Sequence, residues 1–225
     1  MMTRKTPLSR RDRLGFSQLC VLVDGGESAD ACGRQVAAVA AAGAGLIQLR
    51  DKKLGDAALL ERAIAAVAAA RRHGALLVIN DRPDIAVAAA ADGVHLGEDD
   101  LPVLAARRIV GSAKLIGRTA HTLAEAEAAV RDAADYIGVG PCFPSDTKAF
   151  AAFAPRNFLQ DVARSIELPA FAIGGISADR IEELVVLGLS RIAVGASVTK
   201  AADPAEAVQQ LLRRLRVAQA MPADR

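Results

Sequence analysis

The stretch that decides the fold runs from Leu76 to Pro83 and reads LLVINDRP. Four consecutive apolar residues predict a strand buried on both faces, as in a parallel sheet covered by helices. Polar residues follow at once, and the proline then stands where a helix can begin, since proline is favoured at the first helical position. The stretch therefore predicts one strand, a polar loop and the start of a helix.

The same pattern recurs along the whole chain without a linker. Strands are predicted at 18–23, 46–50, 76–80, 93–96, 114–118, 136–140, 170–174 and 191–195. Helices are predicted at 29–42, 56–73, 83–90, 101–110, 123–133, 156–165, 178–187 and 204–217. Eight β/α units predict a closed (β/α)8 TIM barrel of the α/β class. The alternative is an open doubly wound sheet, but no GxGxxG motif follows the first strand.

The barrel is predicted to span residues 16–218, with a flexible basic tail at 1–15 and a short tail at 219–225. No long apolar run follows the basic residues, so neither a signal peptide nor a membrane span is expected. The net charge of +2 over 225 residues gives no reason to expect nucleic acid or a membrane as partner. No oligomeric state is predicted.

The 3 cysteines cannot all pair within the chain, and no CxxC motif or Cys/His cluster is present. Reduced thiols in a cytoplasmic protein are therefore expected.

Chemistry in such barrels lies on the loops that follow the strands. The second strand ends in QLRDK, from Gln48 to Lys52. Because Gln48 and Arg50 are two residues apart, their side chains should share the interior face, where a buried arginine needs an anion. Arg50 and Lys52 are suited to a phosphate or pyrophosphate. The alternative is a structural ion pair with a neighbouring carboxylate.

Acidic residues follow the third and fourth strands. Asp81 comes directly after Asn80, and Asp100 ends the loop that begins at Gly97. The ends of adjacent strands lie together, so the two carboxylates are predicted to share a Mg²⁺ ion with substrate phosphate oxygens. The alternatives are a turn at Asn80 and an acidic helix start before Asp100.

Three further loops are predicted to bind phosphate. After the sixth strand, a long loop carries the hydroxyls of Ser145 and Thr147 and the charge of Lys148. Gly174–Gly175 and Gly195–Ala196 follow the seventh and eighth strands, where backbone N–H groups can approach an anion. The alternatives are an ordinary surface loop and tight turns.

Taken together, these motifs resemble the thiamine phosphate synthase family. The resemblance covers roughly residues 18–212 and rests on segments in order: 48–52, 79–82, 91–97 with Asp100, 120–122, 134–141 through Thr147–Lys148, and 172–176. It implies that 4-amino-2-methyl-5-hydroxymethylpyrimidine diphosphate is joined to 4-methyl-5-(2-hydroxyethyl)thiazole phosphate. The products are thiamine monophosphate and pyrophosphate.

The resemblance also implies roles for single residues. The pyrimidine diphosphate is expected on Gln48, Arg50, Lys52, Asn80 and Lys148, with Arg50, Lys52 and Lys148 as the catalytic charges. Asp81 and Asp100 are expected to hold Mg²⁺, and Ser145, Thr147 and Gly175 to contact the thiazole phosphate.

The chain departs from the family pattern at three places. Thr119, which is also expected to contact substrate, stands where the family usually has serine. Ser145 stands where the family usually has threonine, so both positions keep a hydroxyl. Gly195–Ala196 replaces an aliphatic–Ser pair and so lacks one hydroxyl.

Other functions fit the same fold. They are a thiazole tautomerase of related sequence, another phosphate-binding isomerase or lyase, and a non-catalytic protein that binds thiamine intermediates. The charged set around Asp81, Asp100 and Lys148 favours the synthase, because a tautomerase needs no site for a metal and a diphosphate.

Overall fold

The computed structural model describes residues 8–144 and 152–220, in which eight parallel strands close into a barrel in chain order. The strands are β1 (Leu19–Val23), β2 (Leu46–Leu49), β3 (Leu76–Asn80), β4 (Gly93–Leu96), β5 (Leu115–Ala120), β6 (Tyr136–Val139), β7 (Ala170–Ile173) and β8 (Arg191–Val194). The prediction of a (β/α)8 barrel is confirmed, because β1 pairs with both β2 and β8. The open-sheet alternative is wrong.

Helices follow the strands close to their predicted positions. They are α1 (Arg10–Phe16), α2 (Ala29–Ala41), α3 (Asp56–Arg72), α4 (Pro83–Ala88), α5 (Val103–Val110), α6 (Leu123–Arg131), α7 (Arg156–Ser165), α8 (Ile181–Val186), α9 (Ala196–Thr199) and α10 (Pro204–Ala220). A 3-10 turn, Ala178–Arg180, precedes α8. Two helices, α1 and the single turn α9, were not predicted.

Alternation along the strands divides the core into two parts. One set of buried side chains fills the barrel interior: Leu14, Cys20, Leu46, Leu76, Val78, Leu115, Tyr136, Phe171 and Ala193. The other set lies between the strands and the surrounding helices. Because side chains two residues apart share a face, Gln48 and Asn80 continue the interior rows that begin with Leu46 and Leu76.

The expected flexible tail at 1–15 is wrong for residues 10–15, which belong to α1. Ser9 and Asp12 form a capping box at its start. Arg10 and Arg11 pair with Asp92 and Asp135 at 2.8 and 2.6 Å. Leu14 is only 1 % exposed and closes the interior core from below. At the other end of the chain, α10 continues to Ala220, two residues past the predicted boundary.

Within the described ranges, no helix is long and apolar enough to cross a membrane.

Candidate active site

The C-terminal ends of β2 and β3 bring two amides into the barrel mouth. Gln48 is 4 % exposed and lies opposite Val78 in the β2–β3 register. Asn80 is half-buried and lies opposite His95 of β4. Both amides thus lie at the top of the interior, a position that the spacing predicted for Gln48.

Arg50 is exposed, contrary to the prediction of a buried arginine. It follows the last residue of β2, but its backbone N–H still donates to the carbonyl of Val23 at 2.8 Å, so the pairing with β1 continues to it. No ion pair joins its side chain to a described residue. Burial is the main cause of the lowered pKa of His95, and the charge of Arg50 contributes to it, so the guanidinium lies near this interior residue. Arg50 is therefore an exposed cation at the barrel mouth.

Asp81 and Lys52 meet at the mouth of the barrel. The Lys52 Nζ lies 3.5 Å from Oδ2 of Asp81, whose side chain is 22 % exposed. Asp81 adopts a left-handed backbone with φ of 64°, which aspartate tolerates better than most residues. Its N–H donates to the carbonyl of His95 at 2.8 Å. This backbone bond fixes the carboxylate between β3 and β4.

Asp81 also faces Asp100, and the pair makes Asp81 easier to protonate than an isolated carboxyl. Burial, the hydrogen bond to Asp100 and the repulsion between the two groups raise the pKa of Asp81 to about 6. Burial also acts to raise the pKa of Asp100. The hydrogen bonds from Asp81 and from the Gly97 N–H, at 2.6 Å, outweigh it and hold that pKa below its usual value. A cation bound between the two carboxyls would relieve the same repulsion that favours protonation of Asp81.

This pair fits a hard divalent cation. Mg²⁺ is typically held by one or two carboxylates, with waters and substrate phosphate oxygens completing the octahedron. Among the residues described, no group of three or more His, Cys, Asp or Glu side chains forms a closed metal site. Asp81 and Asp100 thus supply an open set of oxygen ligands, next to the positive charge of Lys52.

Sequence reasoning missed Arg118, which fixes the loop that carries Asp100. The guanidinium of Arg118, on β5, donates to the carbonyl of Gly97 at 2.6 Å and to that of Glu98 at 3.2 Å. These bonds hold the β4–α5 loop over the barrel. The sequence showed only that Arg118 lies near the end of a strand. Its partners are backbone carbonyls, and no sequence pattern indicates such partners.

A second missed group is a hydrogen-bonded row of side chains inside the barrel. Nδ1 of His95 lies 3.1 Å from the Tyr136 hydroxyl, and Nε2 lies 3.0 Å from Oγ1 of Thr119. Burial lowers the pKa of His95 to about 4, so the ring is neutral at pH 7. His95 thus links the interior to Thr119, a predicted substrate contact.

On the far side of the mouth, the β6–α7 loop packs over the glycines that follow β7. The Phe143 N–H donates to the carbonyl of Gly174 at 3.0 Å. Gly175 has a φ of 63°, and a Cβ atom there would lie 2.5 Å from the Phe143 carbonyl oxygen. Glycine is thus required at position 175 by its backbone conformation and by this close approach, not only for anion binding.

After β8, the chain turns into α9 at Gly195. The Gly195 carbonyl accepts from the N–H groups of Val198 and Thr199, both at 2.9 Å. A Cβ atom on Gly195 would meet only Leu22, at 3.9 Å, so packing does not require glycine here. Ala196 begins the helical turn α9, and the first N–H groups of such a turn have no partner within it.

The remaining predicted site residues, Ser145, Thr147 and Lys148, lie outside the described residues.

The fold and the site define a TIM barrel that combines paired carboxylates, interior amides and glycine loops at one mouth. A model of the thiamine monophosphate synthase family matches residues 19–198. The chain belongs to this family.

Relatives of known name agree with this assignment. A thiamine-phosphate synthase of a Mycobacterium species (strain KMS) is 46 % identical over 184 residues, which are 77 % of this chain and 81 % of the relative. One from Synechococcus (strain WH7803) is 41 % identical over 206 residues, 90 % of this chain but 58 % of the relative. The chain thus spans little more than half the length of some of its curated relatives.

Solved structures show the same architecture. A thiamine phosphate pyrophosphorylase from Pyrococcus furiosus aligns with a TM-score of 0.79 and 30 % identity, covering 92 % of this chain and 98 % of that one. A 3-hexulose-6-phosphate synthase aligns with a TM-score of 0.65 at 21 % identity, a likeness of fold alone.

Proposed function

We propose that the chain joins 4-amino-2-methyl-5-hydroxymethylpyrimidine diphosphate to 4-methyl-5-(2-hydroxyethyl)thiazole phosphate, giving thiamine monophosphate and pyrophosphate. Family membership supports this transferase reaction, and the observation that carries it is the Asp81–Asp100 pair with Lys52 beside it. The reaction expels a diphosphate, so the protein must mainly align two substrates and neutralise the departing charge. A cation site among positive side chains meets that need.

The pyrimidine diphosphate is proposed to lie over β2 and β3. The amides of Gln48 and Asn80 offer both donors and acceptors for the pyrimidine and the diphosphate. Arg50 and Lys52 stand at the rim, where their charges can follow the diphosphate as it departs. Lys148 is proposed as a third positive group on the strength of the sequence motif.

Asp81 and Asp100 are proposed to hold Mg²⁺. When bound, the ion neutralises charge on the diphosphate oxygens. Both carboxylates would bind the ion in their ionised form, and Lys52 favours the ionised form of Asp81. Arg118 keeps Asp100 in place through its bonds to the β4–α5 loop.

The thiazole phosphate is proposed to lie on the opposite side of the mouth. Backbone N–H groups around Gly175 and at Gly195–Ala196 would bind its phosphate, as loops after the seventh and eighth strands commonly do in this fold. The hydroxyls of Ser145 and Thr147 are proposed as further donors. Thr119, between the two sides, is proposed to contact substrate through its hydroxyl.

The chemistry needs no nucleophile from the protein. The bond between the pyrimidine methylene carbon and the diphosphate oxygen breaks, and its electron pair leaves with pyrophosphate. The thiazole nitrogen then forms the new carbon–nitrogen bond with its lone pair. Burial raises the pKa of the nearby Cys142 thiol to about 11, so it is a poor nucleophile at neutral pH.

The test is to mix the purified protein with both substrates and Mg²⁺ and to measure thiamine monophosphate and pyrophosphate. We expect equal amounts of the two products, and none without Mg²⁺. Binding of thiazole phosphate without any product would overturn the proposal. Conversion of a thiazole tautomer without the pyrimidine substrate would instead support the tautomerase.

A further inference from the structure

The hydrogen-bonded row Tyr136–His95–Thr119 runs from a closed interior to the open mouth. Tyr136 is 2 % exposed and His95 is 9 % exposed, whereas Thr119 is half-buried. Tyr136 also packs edge-on against Phe171, with ring centroids 5.7 Å apart. The inner end of the row is therefore held rigidly by the core, while the outer end faces the site.

Gly117 makes room for this row. A Cβ atom on Gly117 of β5 would lie 2.5 Å from Nδ1 of His95, closer than real Cβ atoms approach. A Cβ atom on Gly138 of β6 would lie 3.4 Å from Cε1 of the same ring, an ordinary van der Waals distance. A larger residue at position 117 would therefore push the ring away from its two partners, whereas position 138 only borders the ring.

The proton of the Tyr136 hydroxyl decides the direction of the hydrogen bonds. Among the described residues, Nδ1 of His95 is its one hydrogen-bond partner. If Nδ1 carried a proton and donated to the tyrosine, the buried tyrosine proton would have no acceptor, which is costly. The favoured arrangement therefore has Tyr136 donating to an unprotonated Nδ1.

The tautomer of the ring then follows. A neutral imidazole has one N–H, so an unprotonated Nδ1 places the proton on Nε2. Nε2–H donates to Oγ1 of Thr119, 3.0 Å away. Because that oxygen already accepts from the ring, the hydroxyl proton of Thr119 is directed away from His95.

We propose that Tyr136 and His95 are positioning residues that hold the Thr119 hydroxyl as a hydrogen-bond donor towards the substrate. The substrate part of this inference rests on the proposed function. A ring nitrogen of the pyrimidine and an oxygen of the diphosphate are both acceptors that fit this donor. The exocyclic amino group, itself a donor, fits less well. The row thus helps to fix the orientation of the pyrimidine diphosphate.

A spectroscopic experiment tests the direction without any assay of activity. The chain has 3 histidines, so ¹⁵N-histidine labelling gives a simple spectrum, and His95→Gln identifies the signals of His95. We expect a protonated Nε2 and an unprotonated Nδ1 in the 225-residue chain without substrate. The opposite tautomer, or an even mixture, would overturn the proposal. This result is independent of whether the chain is a synthase.

Kinetics of four variants test the coupling to Thr119. We expect Tyr136→Phe and Thr119→Val each to lower kcat/KM for the pyrimidine diphosphate about tenfold, the usual effect of one lost neutral hydrogen bond. The double variant should fall no further, because Tyr136 acts through Thr119. Thr119→Ser keeps the hydroxyl and should keep most activity. If the two losses multiplied in the double variant, Tyr136 would have a merely structural role. Thermal unfolding checks that each variant is folded.

Discussion

Aspartates lie at both ends of the barrel, and their partners differ. At the N-terminal end, Asp135 is 5 % exposed and accepts from Arg11 at 2.6 Å, from Arg107 at 2.7 Å and from the Ile116 N–H at 2.8 Å. At the C-terminal end, Asp81 faces another carboxyl, that of Asp100, with one lysine nearby. The negative charge of Asp135 is thus balanced by two arginines, whereas the charges of Asp81 and Asp100 together face one lysine.

The difference separates stability from function. At the lower end, α1 and α5 supply the positive partners of Asp92 and Asp135, and these ion pairs tie α1 to distant parts of the chain. At the upper end, the two facing carboxyls repel each other when both are ionised. A proton on Asp81 or a bound cation relieves that repulsion. This division agrees with the general rule that catalysis in TIM barrels lies at the C-terminal face and stability at the N-terminal face.

The largest expected effect is on activity at the upper end. Asp81→Asn or Asp100→Asn should lower kcat for thiamine monophosphate formation by at least about 100-fold, since each removes an oxygen ligand and a charge. Neither change should lower the free energy of unfolding, because each relieves repulsion. Asp99→Asn, in the same loop and exposed, is the matched control and should leave both quantities unchanged. A fall in the free energy of unfolding large enough to explain the loss of activity would contradict the comparison.

The lower end should respond in the opposite way. Asp135→Asn should reduce the free energy of unfolding by about 3 kcal/mol, because it leaves two arginines without their buried carboxylate. Urea unfolding measures this change. The kcat of the folded fraction should stay within about twofold of the original, and a large fall in kcat would mean that the two ends are not independent.

A smaller effect is expected within α1. Leu14→Ala should cost about 2 kcal/mol, the lower part of the range for a buried leucine, because a terminal helix can adjust around the cavity. Phe16→Ala on the same helix removes a side chain that is 76 % exposed, so it should change stability by less than about 0.5 kcal/mol. Equal effects of the two changes would show that α1 does not close the barrel as described.

The smallest effect concerns pH. The pKa of Asp81 is raised to about 6 in the folded protein, so between pH 4 and 6 the folded state binds more protons than the unfolded state. By linkage, the free energy of unfolding without metal should fall as pH rises through this window. Asp81→Asn should lack this part of the pH dependence, as unfolding at pH 4.5 and 7 would show. If the free energy of unfolding changed between pH 4.5 and 7 by the same amount in the original chain and in Asp81→Asn, the raised pKa of Asp81 would be contradicted.

Much of the fold was predictable because its signals are local. Each β/α unit carries its own apolar run and helix, as in the stretch from Leu76 to Pro83, and eight such units have few other ways to pack. The helix α1 was missed for a physical reason. Its arginines resemble a solvated tail, and their partners Asp92 and Asp135 lie 82 and 124 residues away along the chain.

The site was predictable where side chains follow the strand alternation. Gln48 and Asn80 obey that rule, and the adjacency of β3 and β4 brings Asp81 and Asp100 together. Arg50 was predicted to be buried but is exposed, because it lies one residue beyond the end of β2. The roles of His95 and Arg118 depend on partners in other strands and loops, which no local pattern reveals.

The central claim is that the facing carboxylates Asp81 and Asp100 form a cation site for a diphosphate. The most direct test is calorimetric titration of the protein with pyrophosphate, with and without Mg²⁺, in the original chain and in the Asp81→Asn/Asp100→Asn variant. We expect Mg²⁺ to tighten pyrophosphate binding by at least about tenfold in the original chain, through thermodynamic linkage, and to have little effect in the variant. An equal effect of Mg²⁺ on both proteins would contradict the account.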